Sequence, residues 1–65
     1  MHQILRYGHV CRTVHEGDLQ SCKEELTAIA NGYTAKGYDV RLEWEAITVF
    51  KLGNYIFHFS IERTE

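Results

Sequence analysis

The second half of the chain, VRLEWEAITVFKLGNYIFHFSIER, alternates apolar and polar side chains in two runs around a Gly53-Asn54 break. From Tyr38 to Leu52 the even positions hold Tyr38, Val40, Leu42, Trp44, Ala46, Thr48, Phe50 and Leu52. The odd positions hold Asp39, Arg41, Glu43, Glu45, Ile47, Val49 and Lys51. After the break the large residues are Tyr55, Phe57, Phe59 and Ile61, alternating with Ile56, His58, Ser60 and Glu62. A period of two over this length predicts a half-buried antiparallel strand pair. Gly53-Asn54 supplies the positive φ angles of a two-residue turn. That turn fixes a register with Leu52 opposite Tyr55, Phe50 opposite Phe57, Thr48 opposite Phe59 and Ala46 opposite Ile61, all on one face. A break near Glu45–Ala46 would instead divide the first arm into two shorter strands.

The middle of the chain has the other period. Leu19, Cys22, Leu26, Ile29, Ala30 and Tyr33 recur at steps of three and four, with Lys23, Glu24, Glu25 and Thr27 between them, the stripe of a helix lying on a core. Asp18 is the expected N-cap, and Ser21 with Glu24 offers a capping box one turn later. Asn31-Gly32 is one stop signal; Lys36-Gly37 is the better one, because Tyr33 continues the stripe, so the helix is expected to end near Ala35. Gly32 then lies inside the helix, where it costs about 1 kcal/mol relative to Ala.

The N-terminal segment QILRYGHVCRTV is extended by composition, with a parity change at Gly8. A bulge at Gly8 would bring Leu5, Tyr7, Val10 and Val14 to the core side; the alternative is a tight hairpin turning at Gly8-His9. The whole chain, 1–65, reads as a single α+β domain: one α-helix packed on one face of a small antiparallel β-sheet, in the order strand-helix-strand-strand. Under that reading Trp44, Phe50, Phe57, Phe59 and Ile61 pack against the helix. Each large side chain buried contributes roughly 1.5–3 kcal/mol, which makes these aromatics core residues rather than a base-stacking platform.

One helix covers one side of a sheet. The reverse face would then carry Ile47, Val49 and Ile56, with Lys51 and His58 beside them, and these five are the expected partner-binding residues. The partner is a protein, a large host complex or a second copy of the chain. Simple strand propensity of β-branched residues is the alternative explanation of the patch. The exposed helix side of Lys23, Glu24 and Thr27 is a further docking candidate.

Composition narrows the function classes. Of 65 residues 45% are hydrophobic and 25% charged, with no proline, which describes a folded domain rather than a disordered tail. Seven basic residues are scattered among nine acidic ones for a net charge of −2, unlike the basic stripe of a phosphate-gripping surface. A small nucleic-acid-binding module using Arg6, Arg12, Arg41 and Arg63 is therefore the alternative function. The N-terminus lacks the apolar run of a signal peptide, and no segment approaches a membrane span. The expectation is a cytosolic chain with Cys11 and Cys22 as thiols.

Three chemical constellations stand out in the sequence. His9, Cys11 and His15 share strand parity, but His15 would lie ~13 Å from Cys11 along a strand, and no fourth zinc ligand presents itself. Cys22 belongs to the helix stripe and Cys11 has no base beside it. Glu45 and Glu62 face each other in the expected register, on the solvated side of the ribbon rather than in a cleft. No enzyme, metal or cofactor is expected.

The strand-helix-hairpin order, the Asp18 cap, AKGYDV entering a strand and KLGNYIF at the turn together resemble very small accessory proteins of phages and mobile elements. Anti-CRISPR and other anti-defence inhibitors are the examples. The likeness is one of size and architecture over the whole chain. It implies a non-catalytic inhibitor that blocks a larger machine by occupying its surface.

Overall fold

The computed structural model describes residues 1–64. The order of elements is β1 (His2–Tyr7), β2 (Arg12–Gly17), α1 (Leu19–Ala35), β3 (Asp39–Glu43), β4 (Ala46–Lys51) and β5 (Asn54–Arg63). The strands form one antiparallel sheet in the order β2-β1-β5-β4-β3. The coarse class holds, but the expected strand-helix-strand-strand order does not. β1 and β2 are themselves a hairpin around the loop of residues 8–11, and the long first arm breaks at Trp44-Glu45 into β3 and β4.

The helix begins and ends where its local chemistry dictates. Asp18 has extended backbone angles, and its carboxylate accepts a 2.8 Å hydrogen bond from the Ser21 amide, satisfying one of the orphan donors of the first turn. Ser21 starts no helix of its own; its hydroxyl lies 2.9 Å from His15 Nε2 on β2. At the other end Gly37 takes φ +90. The Tyr38 amide donates to the Tyr33 carbonyl and the Gly37 amide to the Thr34 carbonyl, the paired bonds of a Schellman turn. The Tyr33 and Tyr38 rings meet edge to face at 5.3 Å, the apolar contact that locks such an ending.

The core sits between α1 and the sheet: Ile4, Cys22, Leu26, Ile47, Val49, Phe59 and Ile61 are buried, with Leu19, Ile29, Tyr33, Val40 and Phe57 packed around them. β5 keeps the expected faces, Phe57, Phe59 and Ile61 inward. β4 is inverted. The observed register sets Ile47 opposite Phe59 and Val49 opposite Phe57, one residue from the expected pairing, and a one-residue slip moves every side chain of a strand to the other face.

The slip has two local causes. The turn is Leu52-Gly53, both at positive φ (53° and 80°), closed by Lys51 opposite Asn54; Gly53 occupies its second position rather than its first. A bulge then leaves Ile56 without a partner between Tyr55 and Phe57. Volume supplies the selection. Phe57 and Phe59 already lie 6.2 Å and 5.9 Å from the Tyr33 ring, so branched aliphatics fit opposite them where Phe50 and Trp44 would overfill the layer. Phe50 is accordingly half-buried on the open face, and Trp44 is 83% exposed. Leu5 and Tyr7 also face away from α1, while Ile4, next to Leu5, is fully buried.

The helix crosses the sheet diagonally. Its start abuts β2, its end turns into β3 at the opposite edge, and it touches all five strands. Seventeen residues span ~25 Å at a width of ~10 Å, so two corners of the inner face escape cover. One lies at the loop end of the β1–β2 hairpin, the other at the β3–β4 turn.

Candidate functional site

The open face of the sheet is a polar network. The Tyr7 hydroxyl donates to the Glu62 carboxylate, which, with burial adding to it, pushes the Tyr7 phenol up to about 12. Thr48 Oγ1 and His58 Nδ1 are 2.9 Å apart, and Thr13 Oγ1 donates to Gln3 Oε1 at 3.1 Å. Side chains that satisfy one another in this way suit a water-facing surface. Glu62 lies opposite Gln3 rather than Glu45, so the expected carboxylate pair does not form.

The five residues expected to make one partner-binding patch are dispersed. Ile47 and Val49 are 0% exposed beneath the helix and belong to the core, which overturns their placement on an uncovered face. Ile56 is half-buried at the bulge and packs on the core edge. His58 remains on the open face, held by Thr48. Lys51 is exposed at the β4–β5 turn, its Nζ 4.6 Å from the Tyr38 ring centroid. Of the helix-side candidates, Lys23 and Thr27 join a larger apolar feature.

That feature is the corner at the β3–β4 turn. Leu42 faces the helix side opposite Ile47 but lies beyond the reach of α1, and is 68% exposed. Trp44 projects from the two-residue turn, with Lys23 Nζ 5.1 Å from its ring centroid. With Leu26 and Thr27 they line a shallow cleft of about 220 Å³. The turn is fixed rather than loose: Glu45 holds a left-handed φ of 55°, and its carbonyl accepts a 2.9 Å hydrogen bond from the Ile61 amide on β5. A glutamate there costs about 1–2 kcal/mol. β3 beside it is an edge strand, with one row of backbone groups unpaired in the sheet.

The sequence contained a signal for this corner in the tripeptide Glu43-Trp44-Glu45. A strand break at that point puts the tryptophan in a turn, where no helix can cover it. Reading Trp44 by parity alone assigned it to the core.

The other constellations stay apart. His9 and Cys11 are exposed in the β1–β2 loop while His15 points to the helix and Ser21. No cluster of metal-ligating side chains occurs among the described residues. Cys22 is buried, and its thiol pKa is raised by that burial and secondarily by Asp18, the setting of an inert core thiol. Of the four arginines of the alternative nucleic-acid reading, Arg6 and Arg12 pair across β1 and β2, Arg41 is on β3, and Arg63 ends β5. Among the described residues no helix is long and apolar enough to cross a membrane. No family model, curated protein or solved structure matches the chain.

Proposed function

We propose that the chain is a non-catalytic protein-binding module that docks through the Leu42–Trp44 corner. The observation that carries this is a tryptophan left 83% exposed on a turn whose backbone is both strained and anchored. A free Trp ring offers ~150–250 Å² of apolar surface for burial. Rigid display means little ordering entropy is lost when it docks. An exposed tryptophan matches the composition of interface anchors better than that of a solvated surface. Backbone strain held beside such a residue is the kind that accompanies binding sites.

Binding of this type blocks by occupation, the mode of the small phage anti-defence inhibitors that the chain resembles in size. The partner is then a larger protein assembly with a pocket for an aromatic side chain. The test compares proteins captured from cell lysate by the tagged chain and by its Trp44→Ala and Leu42→Glu variants, each with and without nuclease. The expected result is a partner retained by the parent chain and by His58→Ala, and lost with either corner variant. A partner captured equally by Trp44→Ala sinks the assignment. One lost only on nuclease treatment moves the chain to the nucleic-acid class.

A further inference from the structure

The second uncovered corner has a different chemistry. Between the C-terminal half of α1 and the β1–β2 hairpin runs an open groove of about 310 Å³, at the lower end of the range of about 300–1,000 Å³ for small-ligand sites. Val14, Ile29, Tyr33 and Phe59 form its apolar walls, with Arg6 and Lys36 at its polar points. Val14 reaches it because a bulge between the partners of Ile4 and Leu5 turns β2 locally.

Arg6 is the unusual member. It projects from a central strand toward the helix side, its guanidinium 5.2 Å from the Phe57 ring centroid. Its Nε is buried with no hydrogen-bond partner among the described residues. A buried N–H donor is ordinarily paired, and an exception calls for an explanation. Arg12 lies directly opposite Arg6 in the β1–β2 ladder, so both side chains leave the same face. Like charges in that relation repel unless an anion lies between them. Lys36 adds a second lining cation, against one lining carboxylate, Glu25, and Arg12 stands beside the groove on the neighbouring strand.

The helix contributes space. Gly32 lines the groove, and a Cβ built there meets nothing within 4 Å. A glycine inside a helix, where alanine would fit sterically and favour the helix, keeps the groove wide instead.

We propose that this groove binds a phosphate monoester carried on a small aromatic or apolar body. The two guanidinium forks match phosphoryl oxygens in geometry, and three cations suit a group of charge −1.5 to −2 better than a monoanionic carboxylate. Tyr33, Phe59, Ile29 and Val14 receive the apolar part. The site is independent of Trp44, which lies at the opposite corner.

The experiment follows the Arg6 Nε–H and backbone amide resonances of the isotope-labelled chain as phenyl phosphate, inorganic phosphate, benzoate and a short single-stranded oligonucleotide are added in turn. Phenyl phosphate should shift Arg6 Nε–H saturably, together with the amides of Ile29, Tyr33 and Lys36. It should bind roughly tenfold tighter than inorganic phosphate or benzoate, the equivalent of one charge-assisted hydrogen bond or a small apolar contact. Arg12→Gln, an exposed change that leaves the core alone, should weaken binding by a similar factor. Gly32→Leu should abolish it while the fold persists. The proposal is overturned if phenyl phosphate leaves Arg6 Nε–H unmoved, if benzoate binds equally well, or if Gly32→Leu retains full affinity. Saturable binding of the oligonucleotide without phenyl phosphate binding would overturn it in favour of a nucleic-acid surface.

Discussion

Truncating Ile47 and Phe50 in parallel decides the register that sets which face of β4 lies beneath the helix. Ile47 is fully buried, opposite Phe59 on one side and Leu42 on the other. Ile47→Ala should cost about 2–5 kcal/mol and Ile47→Val about 0.5–1.5 kcal/mol, the lost transfer energy plus an incompletely filled cavity. At 0.05–0.15 kcal/mol per residue a chain of 65 residues has only about 3–10 kcal/mol in all. The valine variant is therefore the quantitative probe, lowering Tm by about 4–8 °C per kcal/mol, and the alanine variant approaches unfolding. Phe50 sits half-buried on the open face, outside the group packed on the core. Its truncation to alanine should cost about 1 kcal/mol, a fraction of the full burial value. Under the register set by a Gly53-Asn54 turn the order reverses, with Phe50→Ala at about 3–5 kcal/mol and Ile47→Ala near zero. Urea unfolding followed by far-ultraviolet circular dichroism measures both; tryptophan emission is a poor reporter because Trp44 is already exposed when folded. A Phe50→Ala variant less stable than Ile47→Ala would refute the observed β4–β5 pairing.

Three further outcomes follow from single positions. Tyr7 has its phenol raised from 10.0 to about 12 by its bond to Glu62 and by burial, so the protonated form is the one the fold favours. The stabilising contribution is complete below pH 10 and is lost as pH rises through about 12. Alkaline absorbance titration should show a late phenolate step that disappears in Tyr7→Phe; a step that persists contradicts the assignment. Leu52 is 90% exposed at a left-handed φ of 53°. Leu52→Asn should recover part of the roughly 1–2 kcal/mol of strain and raise Tm by a few degrees, and a lowered Tm would show that the leucine side chain stabilises the turn. Cys11 is exposed and Cys22 fully buried. A thiol reagent should therefore consume one equivalent quickly and the second only at the rate of unfolding, whereas rapid loss of both would mean that α1 detaches readily.

Helix and class were legible because each rests on signals within a few residues of one another. The Asp18 cap, the Leu19–Tyr33 stripe and the Gly37 ending are local, and the structure reproduces them. The second hairpin was legible as a hairpin but not in its register. Both faces of β4 carry apolar residues, Ala46 and Phe50 against Ile47 and Val49, so parity does not choose between them. The choice is made by how much aromatic volume fits under one helix and by the bulge at Ile56, which are tertiary properties. The partner-binding set failed for that reason: a slip of one position carried Ile47 and Val49 into the core and Phe50 out of it. Trp44 departs from its expected core position because size alone does not imply burial: the break beside Glu45 puts it in a turn that α1 does not reach. The Arg6–Arg12 juxtaposition required the β1–β2 pairing, which the segment around Gly8 left open between a bulge and a hairpin.

Both candidate surfaces have one geometric origin. A helix set parallel to the strands would cover about two of the five and leave three exposed along their whole length, more apolar area than so small a domain can leave wet. The diagonal course instead gives each strand some cover and concentrates the deficit in two opposite corners. The helix ends enforce that course, since Asp18 must follow β2 at one edge while Gly37 must deliver the chain to β3 at the other. The residues at the corners are then free of packing duty, and the sequence has filled them unlike a spare surface: a tryptophan on a strained turn at one, two opposed arginines and a helical glycine at the other. If the corners were merely uncovered, replacing Trp44 by a polar residue, Glu45 by glycine and Gly32 by alanine together should stabilise the domain at no functional loss. We expect the stability gain, from relieved strain and better helix propensity. We also expect it to come with loss of partner capture through Trp44. A triple variant that is more stable and still captures its partner would remove the reason for reading the first corner as a site.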